Sequence, residues 1–197
     1  MQLKSKPCGS YMTNCYIIEV GGKEFIIDPG VGATKWVQEN VKNPVAILNT
    51  HGHFDHIWSN QELKELFSIP IYINKNDAPL LENDPFGQGT PPSKADYLVE
   101  GDELLDIDGV AVRFYQFAGH TPGCSVIEIE KNWFSGDFLF KHSIGRYDFP
   151  LSNAQDMKKS LNRVLTFEEN YTIYPGHGES TTLEAEKKVI PFFISQI

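Results

Sequence analysis

Three histidines and an aspartate fall within six consecutive positions, His51 to His56, and this cluster constrains the fold more than any other feature of the sequence. It follows directly on VAILN (45–49), a short apolar run typical of a buried strand. The next segment, WSNQELKELFS (58–68), has helical periodicity, and IPIYI (69–73) returns to strand character. The sequence therefore predicts a β-α-β unit with the cluster at a strand end, where α/β proteins place their ligand sites.

The rest of the chain alternates in the same way. A glycine pair joins two strands into a hairpin (13–20 and 23–28), and a helix follows over 33–42. The second half predicts strands at 109–118, 124–130, 132–137 and 171–175, with helices at 154–166 and 182–189. Two such halves, each with a mainly antiparallel sheet, predict an α/β fold: a four-layer αββα sandwich of two mixed β-sheets with external helices.

Composition limits the classes of protein. With 197 residues, 41% hydrophobic and 22% charged, we expect residues 1–197 to form one domain. A net charge of -9 without a basic stripe excludes a nucleic-acid partner. No apolar run of membrane length and no signal peptide is visible, so we expect a cytoplasmic protein without a membrane partner. Cys8, Cys15 and Cys124 then suit buried reduced thiols.

The remaining three histidines are spread over the second half of the chain. His120 and His177 each follow a predicted strand, whereas His142 lies in FKHSIG without such a context. Five of the six histidines thus lie just past strand ends, counting the three in the first cluster. We expect these five to converge, and His142 to be a surface residue or an outer partner of the site.

The spacing H-x-H-x-D-H predicts two neighbouring metal centres. In a turning loop His51 and His53 can point the same way, while Asp55 and His56 turn toward a second centre. Neutral imidazole and carboxylate donors suit zinc, iron and manganese. No cysteine lies nearby, which argues against a structural thiolate site. An aspartate that caps a helix would explain Asp55 but not the three histidines.

Five motifs occur in an order and spacing that resemble the metallo-β-lactamase fold hydrolases. They are IIDPG, THGHFDH, GHTPGC, SGD and PGHGEST, and together they span nearly the whole chain. The resemblance implies the ligands of two divalent metal ions, zinc being favoured over iron or manganese: His51, His53 and His120 for one metal, Asp55, His56 and His177 for the other, and Asp137 as the bridge. It also implies that Asp28 orders the loop beneath the site.

The same resemblance implies a hydrolytic mechanism in which a hydroxide bridging the two metals is the nucleophile. Asp55 would orient the hydroxide and shuttle its proton. Because Asp137 stands where β-lactamases resembling this pattern carry cysteine or serine, a β-lactamase is disfavoured. The residues GRYDFP (145–150) resemble instead the short bacterial type of glyoxalase II, the hydroxyacylglutathione hydrolases, without their C-terminal helical domain. The implied substrate is a small thioester, with glutathione as the candidate thiol.

Four alternatives stay open from the sequence. Arg146 either binds a substrate carboxylate or pairs with Asp148 to pin its loop. Residues 83–95, rich in proline and glycine, form either a surface loop or a lid. The persulfide dioxygenases resemble the same pattern but use a single iron, at positions matching His51, His120 and Asp137. A metal-stabilised binding module without turnover is a further alternative.

Overall fold

Six strands form the first sheet, in the spatial order in which they follow one another along the chain. The computed structural model describes residues 1–197. The strands are β1 (Gln2–Cys8), β2 (Thr13–Val20), β3 (Lys23–Ile27), β4 (Pro44–Leu48), β5 (Ile71–Asn74) and β6 (Tyr97–Val99). The pairs β1–β2 and β2–β3 are antiparallel, whereas β3–β4, β4–β5 and β5–β6 are parallel. Each parallel pair requires a crossover connection, which the helices between these strands supply.

The second sheet has the strand order β14-β13-β10-β9-β8-β7. Its strands are β7 (Glu103–Ile107), β8 (Val110–Gln116), β9 (Ser125–Ile129), β10 (Asn132–Gly136), β13 (Thr172–Pro175) and β14 (Thr181–Thr182). Only the β10–β13 pair is parallel. A separate hairpin, β11 (Leu139–Phe140) and β12 (Ser143–Ile144), follows β10.

Helices cover the outer face of each sheet and complete four layers. They are α1 (Ala33–Asn40), α2 (Phe54–Ile57), α3 (Asn60–Phe67), α4 (Ala78–Glu82), α5 (Ala154–Val164), α6 (Leu183–Lys187) and α7 (Ile190–Gln196). One apolar cluster lies between the sheets, a second packs α1 and α3 on the first sheet, and a third packs α5 and α6 on the second. None of the helices has the length and apolar character that crossing a membrane requires.

Strand β2 shows why the central strands read as unbroken apolar runs. Tyr16 and Ile18 face the cluster between the sheets, whereas Cys15 and Ile17 face the cluster under the helices. Both faces of such a strand are buried, so alternation between polar and apolar residues disappears. All three cysteines are free and buried, as predicted.

The predicted αββα sandwich of mixed sheets is confirmed, with corrections to individual elements. The first sheet is not mainly antiparallel, since three of its five pairs are parallel. The helix expected over 58–68 begins only at Asn60, and α2 before it carries Asp55 and His56. The helix expected over 33–42 ends at Asn40. Residues 83–95 form an irregular loop. The elements that the sequence did not predict are β1, β6, β7, β11, β12, β14, α4 and α7.

Candidate metal centre

The candidate ligands converge at one edge of the sandwich because each follows a strand that ends there. His51 and His53 follow β4, His120 follows β8, Asp137 follows β10 directly, and His177 follows β13. Asp55 and His56 lie on α2, immediately after the β4 loop. The structure thus brings all seven predicted ligands together from both halves of the chain.

Three histidine rings form the first triad. Ligand-type nitrogens of His51, His53 and His120 all lie within 4.8 Å of one another, and His120 Nε2 lies 2.9 Å from His53 Nδ1. Burial lowers the pKa of all three rings, and the neighbouring His120 helps to bring the pKa of His53 to about 3. The rings are therefore neutral at pH 7 and offer lone pairs, as metal ligation requires.

The second triad combines a carboxylate with two histidines. Ligand atoms of Asp55, His56 and His177 lie within 4.8 Å of one another, and Asp55 Oδ2 is 3.6 Å from His56 Nε2. Burial lowers the pKa of His56, but three carboxylates more than offset this effect and leave the pKa well above its ordinary value. They belong to Asp55, Asp137 and Asp28. This triad therefore attracts positive charge.

Asp137 lies between the two triads. Its Oδ1 is 3.3 Å from His56 Nε2, and its Oδ2 is 3.5 Å from His120 Nε2 and 3.4 Å from His177 Nε2. Burial raises the pKa of Asp137, but the charge of His56 and the nearby ring of His177 hold it well below its ordinary value. One carboxylate thus reaches ligand atoms of both triads, the position expected of a bridge.

Four of the five rings have a hydrogen-bond partner on the nitrogen that faces away from the centre. The pairs are His56 Nδ1 with Asp28 Oδ2 at 2.9 Å, His120 Nδ1 with the Arg146 carbonyl at 2.8 Å, His177 Nδ1 with the Tyr11 carbonyl at 3.0 Å, and His51 Nδ1 with Thr50 Oγ1 at 3.1 Å. Such partners fix the orientation and tautomer of a metal-binding histidine. They leave Nε2 of each ring free to face the centre.

Three buried polar atoms at the centre have no hydrogen-bond partner: His51 Nε2, His56 Nε2 and Asp137 Oδ1. Leaving one such atom unpaired costs about 1–3 kcal/mol. Coordination of one cation at each triad would satisfy all three atoms. Imidazole nitrogens and carboxylate oxygens are ligands of divalent transition metals. The donor set present therefore fits two divalent ions.

Comparison with known proteins gives the family. The family model described as the metallo-beta-lactamase superfamily matches residues 8–177. The chain belongs to this superfamily. Superfamily membership and the converging histidine and aspartate groups make it a metal-dependent hydrolase in the broad sense of the superfamily.

Three similar proteins show how far the similarity extends. The chain is 34% identical over 211 residues to the hydroxyacylglutathione hydrolase GloC of Haemophilus influenzae, and the match covers 100% of both proteins. The crystal structure of the B3 metallo-beta-lactamase BLEG-1 is 31% identical, with a TM-score of 0.87 over 97% of this chain and 99% of that one. The crystal structure of TTHA1623 in a di-iron-bound form is 32% identical, with a TM-score of 0.83 over 96% and 99%.

Asp28 supports the loop beneath the centre, as the superfamily resemblance implied. Its Oδ1 accepts from the Thr50 backbone N–H at 2.8 Å, and its Oδ2 accepts from the Thr50 hydroxyl at 2.6 Å. The same Oδ2 contacts His56 Nδ1. Asp28, His51 and His56 also lie close enough to form a ligand group. Because both Asp28 oxygens already accept hydrogen bonds, we assign Asp28 to orientation of His56.

Strand β2 holds the loop that carries His177. The Asn14 side chain donates to the carbonyl oxygens of Pro175 and Gly178, at 3.1 and 3.0 Å. The Tyr16 hydroxyl donates to the same Pro175 carbonyl at 2.7 Å. The sequence pattern of this segment predicts only a strand. The motif TNCY therefore supplies polar support that periodicity did not reveal.

Thr13 and Asp77 also contact the ligand loops, and the sequence pattern indicated neither residue. The Thr13 hydroxyl donates to Asp55 Oδ2 at 2.6 Å. Asp77, fully buried before α4, accepts hydrogen bonds from Gly52 and Thr121, the neighbours of candidate ligands. An aspartate before a helix ordinarily signals a helix cap, so nothing in the sequence distinguished this one.

Close packing at Gly176 leaves little space between the His177 loop and the side chains of Asp137 and His56. A Cβ atom at this position would lie 2.3 Å from Asp137 Oδ1 and 2.7 Å from His56 Cε1. Both distances are far inside van der Waals contact. Only glycine therefore lets the His177 loop approach the bridging position.

The centre opens into a cavity of about 680 Å³. His53, Asp55, His120, Asp137 and His177 all line it, together with the aromatic side chains of Tyr11, Phe54, Phe86, Phe140 and Phe149. Phe86 belongs to the loop over 83–95, and its ring centroid lies 5.1 Å from that of His53. This loop therefore forms one wall of the cavity.

Arg146 faces the cavity and pairs with Asp148 at the same time. Its Nε and Nη2 donate to the two Asp148 oxygens at 2.9 and 2.8 Å, and its guanidinium lies 4.1 Å from the Phe149 ring centroid. His142 is exposed in the β11–β12 turn, where its backbone N–H donates to Glu186. His142 therefore lies outside the centre, as expected.

Proposed function

We propose that this chain is a binuclear metal-dependent thioester hydrolase of the glyoxalase II type. In this proposal His51, His53 and His120 hold one divalent ion, Asp55, His56 and His177 hold a second, and Asp137 is shared. The observation that carries it is the position of Asp137, within 3.5 Å of nitrogens from both triads. A carboxylate between two such triads is the arrangement that a two-metal hydrolytic site needs.

Two divalent ions at such a site supply a water activated at neutral pH and stabilise negative charge on the attacked carbonyl oxygen. The protein supplies the proton acceptor, and we assign this role to Asp55, which lines the cavity. The Thr13 hydroxyl fixes Asp55 Oδ2 through a hydrogen bond of 2.6 Å. Asp55 would take a proton from the attacking water and return it to the thiolate when the carbon–sulfur bond breaks.

The thioester assignment is supported by the full-length similarity to GloC, a hydroxyacylglutathione hydrolase. The cavity agrees with a substrate of moderate size, since ligand cavities of about 300–1,000 Å³ enclose small molecules and this one measures about 680 Å³. Its aromatic walls would pack against the carbon chain on either side of the thioester and exclude water from the reacting bond.

Arg146 is our candidate for binding a substrate carboxylate. Its present partner Asp148 is as exposed as Arg146 itself, at 60% and 63% of the side chain. Exposed ion pairs contribute only about 0–1 kcal/mol. A substrate carboxylate could therefore displace Asp148 and accept the same two hydrogen bonds.

The first experiment is metal analysis of protein purified without added metal, followed by hydrolysis assays. The assays compare a hydroxyacylglutathione, an acylglutathione without the hydroxyl group, and an acyl-coenzyme A. His177→Ala and His142→Ala form a matched pair, because only His177 lies at the centre. We expect two metals per chain and turnover of the glutathione thioesters, with both reduced by His177→Ala and unchanged by His142→Ala.

Other outcomes would overturn separate parts of the proposal. If the protein binds two metals but hydrolyses none of the thioesters, the proposed metal centre stands and the proposed substrate class is wrong. One iron per chain, with oxygen uptake on glutathione persulfide, would replace the hydrolase by the mononuclear dioxygenase. Equal loss of metal in both histidine variants would show that the second triad is not a specific site.

A further inference from the structure

Asp77 is a fully buried carboxylate whose role the proposed chemistry does not explain. It stands immediately before α4, yet its side chain makes no capping hydrogen bond to that helix. No lysine, arginine or histidine lies within ion-pair distance of it. A buried carboxylate without a cation is costly unless hydrogen-bond donors surround it. The hydrogen-bond donors around Asp77 therefore indicate which segments its carboxylate holds in place.

Those donors come from the two loops that build the first triad. Asp77 Oδ2 accepts from the Gly52 backbone N–H at 2.9 Å and from the Thr121 hydroxyl at 2.6 Å. Asp77 Oδ1 accepts from the Gly123 backbone N–H at 2.6 Å. Gly52 lies between His51 and His53 in the chain, and Thr121 follows His120. One carboxylate thus connects the loop after β4 in the first sheet to the loop after β8 in the second.

Packing around Asp77 leaves these loops little freedom to shift. A Cβ atom at Gly123 would lie 2.7 Å from Asp77 Oδ1, and one at Gly52 would lie 2.9 Å from the Asp77 carbonyl oxygen and 2.6 Å from Leu80 Cβ. Both loops therefore approach Asp77 as closely as backbone can. Their separation is set by the carboxylate between them.

We propose that Asp77 is a positioning residue of the first triad, which fixes the distance between the His51–His53 loop and His120 and thereby the affinity of that triad for its metal. The inference rests on the proposed metal centre, since it assigns a role toward the ligands of one of the two ions. Outer partners of metal ligands typically contribute about 10- to 100-fold to metal affinity. We expect an effect of that size from a change that keeps the shape of Asp77.

The test is Asp77→Asn, measured by chelator competition for each of the two metals. An asparagine fills the same space but presents an amide NH₂ to donors that need an acceptor, so at least one of the three hydrogen bonds is lost. We expect one of the two metals to bind about 10- to 100-fold more weakly, while the other keeps its affinity within a few-fold. If each of the two metals binds Asp77→Asn as tightly as it binds the wild type, the inference is overturned.

A matched control separates positioning from general stability. Glu24 is also a buried carboxylate, and its Oε2 accepts from the backbone N–H groups of Lys42 and Asn43, far from the ligand loops. Glu24→Gln should lower the melting temperature without changing the affinity for either metal. If both variants weaken metal binding equally, Asp77 is merely structural.

A second pair of variants covers the case in which Asp77→Asn does not fold. Thr121→Val removes one donor to Asp77 and keeps the side-chain shape, while Thr121→Ser keeps the hydroxyl. We expect weaker binding of one metal in the valine variant and recovery in the serine variant; no difference between them would also overturn the inference. Failure of the proposed function is distinguishable, because it would appear in the wild-type protein itself, either as absent thioester turnover or as fewer than two bound metals.

Discussion

The two triads hold the same number of ligands but differ in charge and exposure. The first has three histidine rings, all buried and all with a lowered pKa. The second contains Asp55 and lies beside Asp137, and His177 is 29% exposed. The first therefore offers neutral nitrogen donors on three buried rings, whereas the second attracts a cation through negative charge. This difference predicts that metal binding at the two triads depends unequally on Asp137, on pH and on exposure to solvent.

The largest effect should follow from removal of the bridge. Asp137→Ala takes away the carboxylate that contacts both triads, and we expect loss of the second metal and a fall in turnover of about 1000-fold or more, since loss of one stabilising donor alone costs roughly 100- to 1000-fold. The first metal should stay bound, because its three nitrogens do not depend on this charge. Metal analysis and kcat measure both effects. Full activity would contradict the two-metal mechanism.

Gly176→Ala tests the bridge by geometry, without removing a ligand. The added methyl group would lie 2.3 Å from Asp137 Oδ1 and 2.7 Å from His56 Cε1, so the His177 loop and these two side chains must move apart. We expect weaker binding of the second metal and little change in the first. Gly22→Ala is the control: its φ of +78° makes an alanine strained, but nothing lies within 4 Å. If both variants bind metals like the wild type, the second triad tolerates displacement.

Protons distinguish the triads directly. The raised pKa values of His56 and His177 mean that both rings bind protons above pH 6.5 in metal-free protein, and a ring must lose that proton to bind a metal. The lowered pKa values of His51 and His53 mean that their rings are already neutral there. We expect the second metal to release protons and to bind more tightly as pH rises toward these raised pKa values.

Calorimetry in buffers of different ionisation enthalpy measures this proton release for each metal. Between pH 6.5 and 7.5 the first equivalent should release no proton from its histidines. The second should release at least one. Equal release for both equivalents would remove the electrostatic distinction between the triads.

Thr13→Val should act on chemistry while both metals stay bound. It removes the hydroxyl that donates to Asp55 Oδ2 and keeps the branched side chain. A hydrogen bond to a charged group is worth about 1.5–3 kcal/mol, so we expect kcat to fall by about 10-fold or more, with KM unchanged. Thr13→Ser should restore most of the loss. Loss of metal in Thr13→Val would instead place this hydroxyl in ligand orientation.

The smallest effect concerns Arg146, which lies outside both triads. If it binds a substrate carboxylate, Arg146→Ala should raise KM about 10-fold and leave kcat nearly unchanged. A thioester without a carboxylate is the control substrate and should show the wild-type KM. An unchanged KM for the carboxylate substrate would leave Arg146 with its loop-pinning role beside Asp148.

The convergence of the candidate ligand loops could be predicted from the sequence, because their residue types and spacing indicate metal binding. H-x-H-x-D-H is a specific local pattern. Each of the other candidate ligands follows an apolar run that forms a strand. The supporting residues could not be found in this way. Thr13 and Asn14 look like ordinary strand residues, and their partners lie far along the chain.

Errors in the fold have a similar physical cause. Strand β1 contains four polar residues in QLKSKPC and is mostly exposed, so it forms because it pairs with β2 and not because its own pattern predicts a strand. Helix α2 is only four residues long, too short for periodicity to register. The long apolar strands were predictable because their apolar runs are visible in the local sequence. Helix α5 was predictable because one of its faces is apolar and packs on the second sheet.

The hold of β2 on the His177 loop has a consequence for assembly during translation. Asn14 and Pro175 are 161 residues apart in the chain, so this contact forms late. A nascent chain that has emerged as far as His56 carries four candidate ligands and neither complete triad. Only when His177 has left the ribosome can the second triad close. Full metal occupancy would therefore report that the chain has been made and folded at least as far as His177.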